Sequence, residues 1–457
     1  MLLPPDERPN ILIVLIDDMG VHQTGCYGNE FYETPHLDRL AGEGIVFDHA
    51  YATAPVCSPS RAGLYTGRHP ARLHLTNYIP GTEPENAPLA TPPWTPFLPV
   101  EEATIGNHFR NAGYNTCHMG KWHLAIDYNY RPGRPTDPES HGFNRVIVTR
   151  KPKPDADPEA DPHHIDAITN HACEFLGEIH TRPFLCMVAH NAIHRPEMAP
   201  EALVKKFTAK PGSDRDCNRP VLAAMVSHLD TAIGRLLSAL DASPYAENTI
   251  VVFTADHGAF GVSSEHKPLR GAKADLYEGG IRIPLIIRLP KSSDRGRRID
   301  LVTPNTDLLP TLTEIAGVSM SEGVYDGRSI TGCLTGSETA ETGDLFWHFP
   351  HYHHQGVGPC GAMRRGQYKL IEWYEGSLLG KAGAPAFELF DLEADPYEET
   401  DLSAVMPGLT VEMARRLEEW RQEVHAQPMI PNPDFDPETQ QAGPPPPPGD
   451  PVSPYES

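Results

Sequence analysis

The apolar positions of this chain change period from segment to segment. NILIVLIDD (Asn10–Asp18) is an apolar run that ends in two acids, the pattern of a strand buried on both faces. PFLCMVA (Pro183–Ala189) and TIVVFTADHG (Thr249–Gly258) predict two more strands, and Tyr114–Met119 a fourth. TPHLDRLAGEG (Thr34–Gly44) predicts a helix with Thr34 as N-cap, Pro35 at its first position and glycine at its end. Ile105–Ala112 predicts another, stopped by Gly113, and Asp307–Ala316 a third, closed by Gly317. Leu222, Met225, Leu229, Ile233, Leu236 and Leu240 recur at spacings of three and four, one apolar face of a long helix. Strands alternating with helices imply an α/β fold with a mostly parallel sheet.

The texture changes near Leu345. MRRGQYKLIEWYE and PAFELFDLEADPYEETDLS predict antiparallel strands with turns, and Met413, Leu417, Trp420 and Val424 mark one face of a closing helix. The predicted organisation is therefore a domain over 8–344, a smaller α+β unit over 345–427 and a proline-rich extended tail over 428–457. Pro84–Pro99 and Lys151–Pro162 are also proline-rich and predict surface loops.

Composition narrows the functional classes. Sixty-one Asp and Glu against 38 Lys and Arg give a formal net charge of −23, which repels nucleic acid and anionic lipid. An anionic ligand would need a local concentration of positive charge. Apolar runs such as Ile11–Ile16 are too short to span a bilayer. MLLPPDERPN has neither a basic start nor an apolar stretch of signal-peptide length, so the sequence as written reads as cytoplasmic, and as periplasmic or secreted if a leader has been removed. The eight cysteines are scattered with no CxxC pair, which predicts reduced thiols and neither a disulfide framework nor a zinc cluster.

Polar clusters follow the predicted strands. Asp17 and Asp18 follow the first, Lys121 and His123 the Tyr114–Met119 strand, His190 and His194 the Pro183–Ala189 strand, and Asp256 and His257 the Thr249–Ala255 strand. Ligands of open α/β sheets bind beyond the carboxyl ends of the strands, so parallel strands would bring all four clusters into one cleft. Asp17, Asp18 and Asp256 would repel one another there without a cation, and hard carboxylate oxygens suit Ca²⁺ or Mg²⁺ better than zinc. Taken singly, each acid reads first as a turn or cap residue; taken together they read as a metal site.

APVCSPSRAGLYTGRHPARL (Ala54–Leu73) reads as a loop that sets a thiol beside a guanidinium. Cys57 alone is as readily a small buried hydrophobe. The three residues between Cys57 and Arg61 do not match the five of the tyrosine-phosphatase spacing, which leaves a candidate nucleophile beside a cation.

C-S-P-S-R-x-x-L-Y-T-G-R (Cys57–Arg68) resembles the signature of the formylglycine-dependent sulfatases. NILIVLIDDMG resembles that family's first strand, GKWHL (Gly120–Leu124) its lysine–histidine element and TADHG its second metal element. GAKADLYEGGIRIP (Gly271–Pro284) resembles its G-K-x-x-x-Y-E-G-G stretch, and FELFDLEADPYEETDL its C-terminal domain. The likeness runs over roughly residues 8 to 425, in the family's order. It implies an alkaline-phosphatase-like α/β fold, a large mixed sheet flanked by helices with a smaller C-terminal α+β domain. It also implies a sulfuric ester hydrolase.

In that family a formylglycine-generating enzyme oxidises the signature cysteine to an aldehyde. One hydroxyl of its hydrate attacks sulfur and expels the alcohol; the other drives out sulfate and restores the aldehyde. The resemblance makes Cys57 that precursor, and Asp17, Asp18, Asp256, His257 and the modified residue 57 the ligands of a metal, usually calcium. Many relatives carry Asn where this chain has His257. Arg61 would hold the hydrate, and Lys121 and Lys273 the sulfate oxygens. His194 would protonate the leaving alcohol, His123 would take the proton as sulfate is eliminated, and Asp256 would help deprotonate the attacking hydroxyl. Relatives often have Pro before the histidine matched by His194, where this chain has Ile193.

The substrate expectation is a sulfated sugar, because the segments flanking the signature look like those of bacterial carbohydrate sulfatases. Arg72, His74, Asn77 and Tyr78 are candidates to touch it, as are His348, His351 and His353 of WHFPHYHHQG (Trp347–Gly356), which is equally readable as an amphipathic loop. Two rivals stand beside this reading: a phosphonate monoester or phosphodiester hydrolase on the same fold, and a silent binder of sulfated glycans with an unmodified Cys57. Oligomeric state is not legible.

Overall fold

In the computed structural model, Asn10–Ile16 (β1) lies inside an eight-stranded sheet and is buried along its whole length. The other strands of the chain are β2 (Ile45–Tyr51), β3 (Leu89–Ala90), β4 (Asn115–Gly120), β5 (Arg145–Val148), β6 (Phe184–Ala189), β7 (Thr249–Ala255), β8 (Leu285–Arg288), β9 (Arg297–Pro304), β10 (Leu345–Phe349), β11 (Cys360–Arg365), β12 (Tyr368–Trp373), β13 (Phe387–Asp391) and β14 (Ile430–Pro431). The large sheet runs β5-β4-β6-β1-β7-β8-β2-β9. β5, β4, β6, β1 and β7 are parallel, β8 is antiparallel to β7 and β2, and β9 is parallel to β2, so the sheet is mixed. The structure describes residues 8–439, apart from 262–267, 291–294, 338–342, 355–356, 381–382 and 384.

Two groups of helices flank this sheet. Pro35–Glu43, Ile165–Gly177 and Glu201–Thr208 pack on the long helix Pro220–Asp241, which buries its Leu222–Leu240 stripe. Cys57–Thr66 and Ile105–Asn111 pack on Leu308–Ile315. Burying both faces of the central strands explains why their sequences are apolar without alternation. β10, β11, β12 and β13 form a second, antiparallel sheet. Its Trp347, Ile371 and Phe390 share an apolar cluster with Tyr51, Leu276 and Ile281, so it packs directly against the segment that carries Lys273. Pro407–Glu423 is the closing helix, with Met413, Leu417 and Trp420 buried.

Two expectations change. The Cys57 stretch is not a loop but a ten-residue helix, Cys57–Thr66, buried on every side. Pro59 lies in the first turn, where no backbone N–H is needed, and Gly67 ends the helix at φ 65°. The start of the tail is not a free arm: β14 pairs with β3, and Met429 is buried against Leu89 and Tyr374. The PPPPP run lies outside the described residues. Among the described residues, no helix is long and apolar enough to cross a membrane.

Candidate active site

Because β4, β6, β1 and β7 are adjacent and parallel, the polar residues that follow them emerge at one edge of the sheet. Asp17 and Asp18 leave β1, Lys121 and His123 leave β4, His194 follows β6, and Asp256 and His257 leave β7. Gly120 makes the delivery from β4 possible. Its φ is 111°, and a Cβ there would lie 1.9 Å from the carbonyl oxygen of Ala189 on β6. Asp18 and His123 themselves sit at φ 61° and 58°, conformations costly for side-chain-bearing residues and concentrated at functional sites.

Cys57 is the first residue of its helix and Arg61 is one turn on, so both project from the same face. This is what the four-residue step in CSPSR achieves. Cys57 Sγ is buried, 3.2 Å from His257 Nε2, 3.4 Å from Lys273 Nζ and 3.6 Å from Asp17 Oδ1. Arg61 donates from Nε to Asp256 Oδ2 at 2.9 Å and from Nη1 to the Lys121 carbonyl at 2.8 Å. Its Nη2 is buried with no hydrogen-bond partner among the described residues, 3.7 Å from Asp17 Oδ1.

The carboxylates and cations interlock. Lys121 Nζ donates to both oxygens of Asp17 at 2.6 and 2.7 Å, and Lys273 Nζ to both of Asp18 at 2.9 and 3.2 Å. His257 Nε2 lies 3.0 Å from Asp18 Oδ1, while its Nδ1 donates to the Gly258 carbonyl at 2.8 Å. Burial would push the Cys57 thiol up, but Lys121, Lys273 and His257 together hold it well below its ordinary range. Burial would likewise depress His257, but Asp256, Cys57 and Asp18 raise it to about 10. Burial lifts Asp17 despite Lys121, whereas at Asp18 the effect of burial is overcome by His194, Lys273 and His257.

Asp17, Asp18, Cys57 and His257 offer ligand atoms that all lie within 4.8 Å of one another. Two buried carboxylates at that spacing suit a hard divalent cation. Asp256 is not part of this group. Its Oδ1 accepts the backbone N–H groups of Asp18 and His257, and its Oδ2 accepts Arg61.

A cavity of about 440 Å³ opens over the cluster, and Cys57, Lys121, His123, His194 and Lys273 all line it. His123 Nε2 donates to the Ile79 carbonyl at 2.7 Å, and burial together with Lys121 lowers its pKa, so the ring is neutral with Nδ1 available. His194 Nδ1 donates to the Arg195 carbonyl at 2.7 Å, leaving Nε2 3.7 Å from Asp18. Burial lowers His194 to about 3 against the pull of Asp18. The site thus offers a nucleophile position, two ammonium groups, an uncommitted guanidinium donor and two imidazoles around one small volume.

The substrate candidates divide. Tyr78 and His353 line the cavity. Arg72, His74, Asn77, His348 and His351 do not; each has a polar partner elsewhere. Arg72 forms a fork with Asp326, with Nη2 to Oδ1 at 2.7 Å, and His74 Nε2 donates to the His425 carbonyl at 2.9 Å. Asn77 donates to Glu83 at 3.1 Å. His348 is buried between the Tyr374 hydroxyl (2.7 Å) and the Gln427 carbonyl (2.9 Å), and His351 between Thr76 (2.8 Å) and Glu83 (2.9 Å). Of these contacts, His74 with His425 and His351 with Thr76 and Glu83 tie the stretch after the signature to the C-terminal segment.

Several contributors were not visible in the sequence. Asn305 donates to Ser60 Oγ at 2.8 Å and pairs with Thr53 at 2.9 Å, and Ser60 in turn donates to the Asp256 carbonyl. This brace fixes the Cys57 helix to the end of β7. The Lys273 loop is pinned by its own N–H to the Ala259 carbonyl (2.8 Å) and by the Ala274 N–H to the Pro55 carbonyl (2.9 Å). Behind it, Lys369 of β12 reaches Glu278 at 2.9 Å and Glu398 at 2.6 Å, all buried. The Y-E-G-G stretch hinted at Glu278; its partners lie about a hundred residues away and carried no local signal.

Residues 9–318 match the family model described as Sulfatase, and residues 272–423 match the one described as N-sulphoglucosamine sulphohydrolase, C-terminal. The chain is similar to arylsulfatase A of Homo sapiens, 28% identical over 461 residues, covering 90% of this chain and 86% of that one. It is similar to N-acetylgalactosamine-6-O-sulfatase of Bacteroides thetaiotaomicron, 25% identical over 505 residues, with 90% and 93% covered. Among solved structures it superposes on Ps i-CgsB in complex with k-i-k-neocarrahexaose with a TM-score of 0.73 at 25% identity, covering 90% of this chain and 92% of that one.

Proposed function

This chain belongs to the sulfatase family of sulfuric ester hydrolases, and from that premise we propose that it removes sulfate from an O-sulfated carbohydrate, using formylglycine at residue 57 and a calcium ion. The observation that carries the reading is the setting of Cys57. Its buried Sγ touches Lys273 and His257 beneath a 440 Å³ cavity, with an unused Arg61 donor one helical turn away.

Asp17, Asp18, His257 and residue 57 would hold the calcium ion, which, when bound, supplies positive charge for the sulfate oxygens. As a hydrated aldehyde, residue 57 would supply the attacking oxygen and then the second hydroxyl that releases sulfate. Arg61 Nη2 is the buried donor suited to orient that hydrate, and Asp256, held by Arg61, the carboxylate suited to help take its proton. Lys121 and Lys273 stabilise the charge that builds on the sulfate oxygens. His194 presents Nε2 to donate a proton to the departing alcohol, and an incoming anion offsets the lysines that depress its pKa. Neutral His123 accepts a proton at Nδ1 when sulfate leaves.

Two facts support a sugar as the alcohol. Trp122, Tyr78, Tyr128 and Phe260 give the cavity flat aromatic surfaces, and two of the proteins named above are an N-acetylgalactosamine-6-O-sulfatase and one crystallised with k-i-k-neocarrahexaose. The chain, co-expressed with a formylglycine-generating enzyme, should carry an aldehyde in the Cys57 peptide by mass spectrometry. It should then release sulfate from sulfated sugars in calcium faster than it cleaves matched phosphonate monoesters or phosphodiesters. An intact thiol with glycan binding but no turnover would favour the silent binder, and faster phosphorus chemistry would favour the phosphonate hydrolase.

A further inference from the structure

The loop after β5 brings a second group of cations to the cavity. Arg150, Lys151 and Lys153 line the same space as Cys57. The sequence pattern explains how. In RKPKP each lysine precedes a proline, which holds it in extended backbone, and residues two apart in extended chain point the same way. Proline also limits the freedom that the loop would lose on gripping a ligand.

The carboxylates nearby do not neutralise Arg150 and Lys153. Asp127 and Asp137, which also line the cavity, are both taken by Arg134, with Nη1 3.0 Å from Asp127 and Nε 2.6 Å from Asp137. Asp155 is the one other acid among the described residues that line the wall. Arg150 donates from Nη2 to the neutral Asn129 at 3.0 Å, and neither Arg150 nor Lys153 has a carboxylate partner among the described residues. Lys151 lines the same cavity as His194 and Cys57. In a chain of net charge −23, three basic residues in a stretch of four, gathered on one cavity wall, form an anion-attracting surface.

We propose that Arg150, Lys151 and Lys153 form a subsite for a second anionic group, a carboxylate or another sulfate, on the glycan whose sulfate is cleaved at residue 57. The subsite rests on the sugar sulfatase reading above. It makes the preferred substrate at least doubly anionic and selects it through binding rather than through the chemical step.

The test compares the mature enzyme with Arg150→Ala/Lys153→Ala on four esters: 4-nitrophenyl sulfate, a monosulfated amino sugar, the same sugar with a second sulfate, and the same sugar linked to a uronate. The wild type should prefer one of the two doubly anionic sugars over the monosulfated one. The double variant should lose that preference through a KM raised about tenfold or more with kcat retained. Its rate on 4-nitrophenyl sulfate should stay within about twofold, which also reports an intact fold. Arg150→Lys/Lys153→Arg should keep the preference. Whichever doubly anionic sugar is favoured distinguishes sulfate from carboxylate. A wild type without preference, or equal losses on all four esters in the double variant, would overturn the subsite. A wild type with an aldehyde at residue 57 that cleaves none of the four would instead overturn the sulfatase reading, and the subsite with it.

Discussion

Lys273 donates from Nζ to both carboxylate oxygens of Asp18, at 2.9 and 3.2 Å, across 255 residues of chain. Both side chains are buried. Removing one partner of a buried pair costs up to about 3–5 kcal/mol, and here His257 still faces Asp18 and softens the loss. Lys273→Met should therefore lower the thermal midpoint of metal-free protein, and calcium should restore much of the loss because it too neutralises Asp18. Turnover should fall on the order of 10²–10³-fold, as for loss of a charge-stabilising donor. Equal midpoints for the variant and the wild type in chelator would count against this pairing.

Cys57→Ala tests the nucleophile. The thiol is small and buried, so the substitution should cost only about 1 kcal/mol of stability. Sulfate release should nevertheless vanish, because no aldehyde can form. Retained turnover in this variant would rule out the proposed chemistry.

His194→Ala separates leaving groups. A sugar alkoxide needs a proton as it departs and a nitrophenolate does not. The loss should be on the order of 10²-fold or more for a sulfated sugar and much smaller for 4-nitrophenyl sulfate. Parallel losses on both esters would remove the acid role.

Acid should destabilise the fold through buried neutral histidines. Burial lowers His22, His69, His141 and His163 from 6.5 to about 4, and His118, His190 and His348 to about 3. Their folded values lie below the unfolded one, so the unfolded chain binds more protons once pH drops below 6.5. Their contribution is fully present above pH 6.5 and is lost as pH falls through about 4 and 3. The thermal midpoint should decline steadily from pH 7 to pH 4. Neither ring nitrogen of His190 has a hydrogen-bond partner among the described residues, so His190→Leu should make that decline shallower. An unchanged slope would show that His190 is not one of the groups responsible.

The chemistry of the site was legible because it is written locally. Acids, a lysine and histidines stand immediately after apolar strand segments, and the CSPSR step sets a thiol and a guanidinium on one helical face. The Cys57 helix was harder to see, since Pro59 and the Thr-Gly-Arg end look like loop residues. Its helicity comes from complete burial, which propensity does not report. The histidine-rich WHFPHYHHQG segment was ambiguous for the same reason. Composition left it open between a binding rim and an amphipathic loop; His353 and His354 line the cavity, while His348 and His351 found partners on segments far away in the chain.

Strand and helix periods, the parallel core and the residue types at the strand ends were readable from the chain, because periodicity and turn chemistry are properties of neighbouring residues. Which of those residues meet depended on tertiary packing. The pairing of Lys273 with Asp18, the Asn305 brace behind the Cys57 helix, the capture of Arg72 by Asp326 and the turn of Arg150 and Lys153 toward the cavity all join segments far apart in sequence or set by loop placement. Such contacts form only when the closing of the sheet and the packing of its loops bring distant charges together under burial, where an unpaired charge is costly.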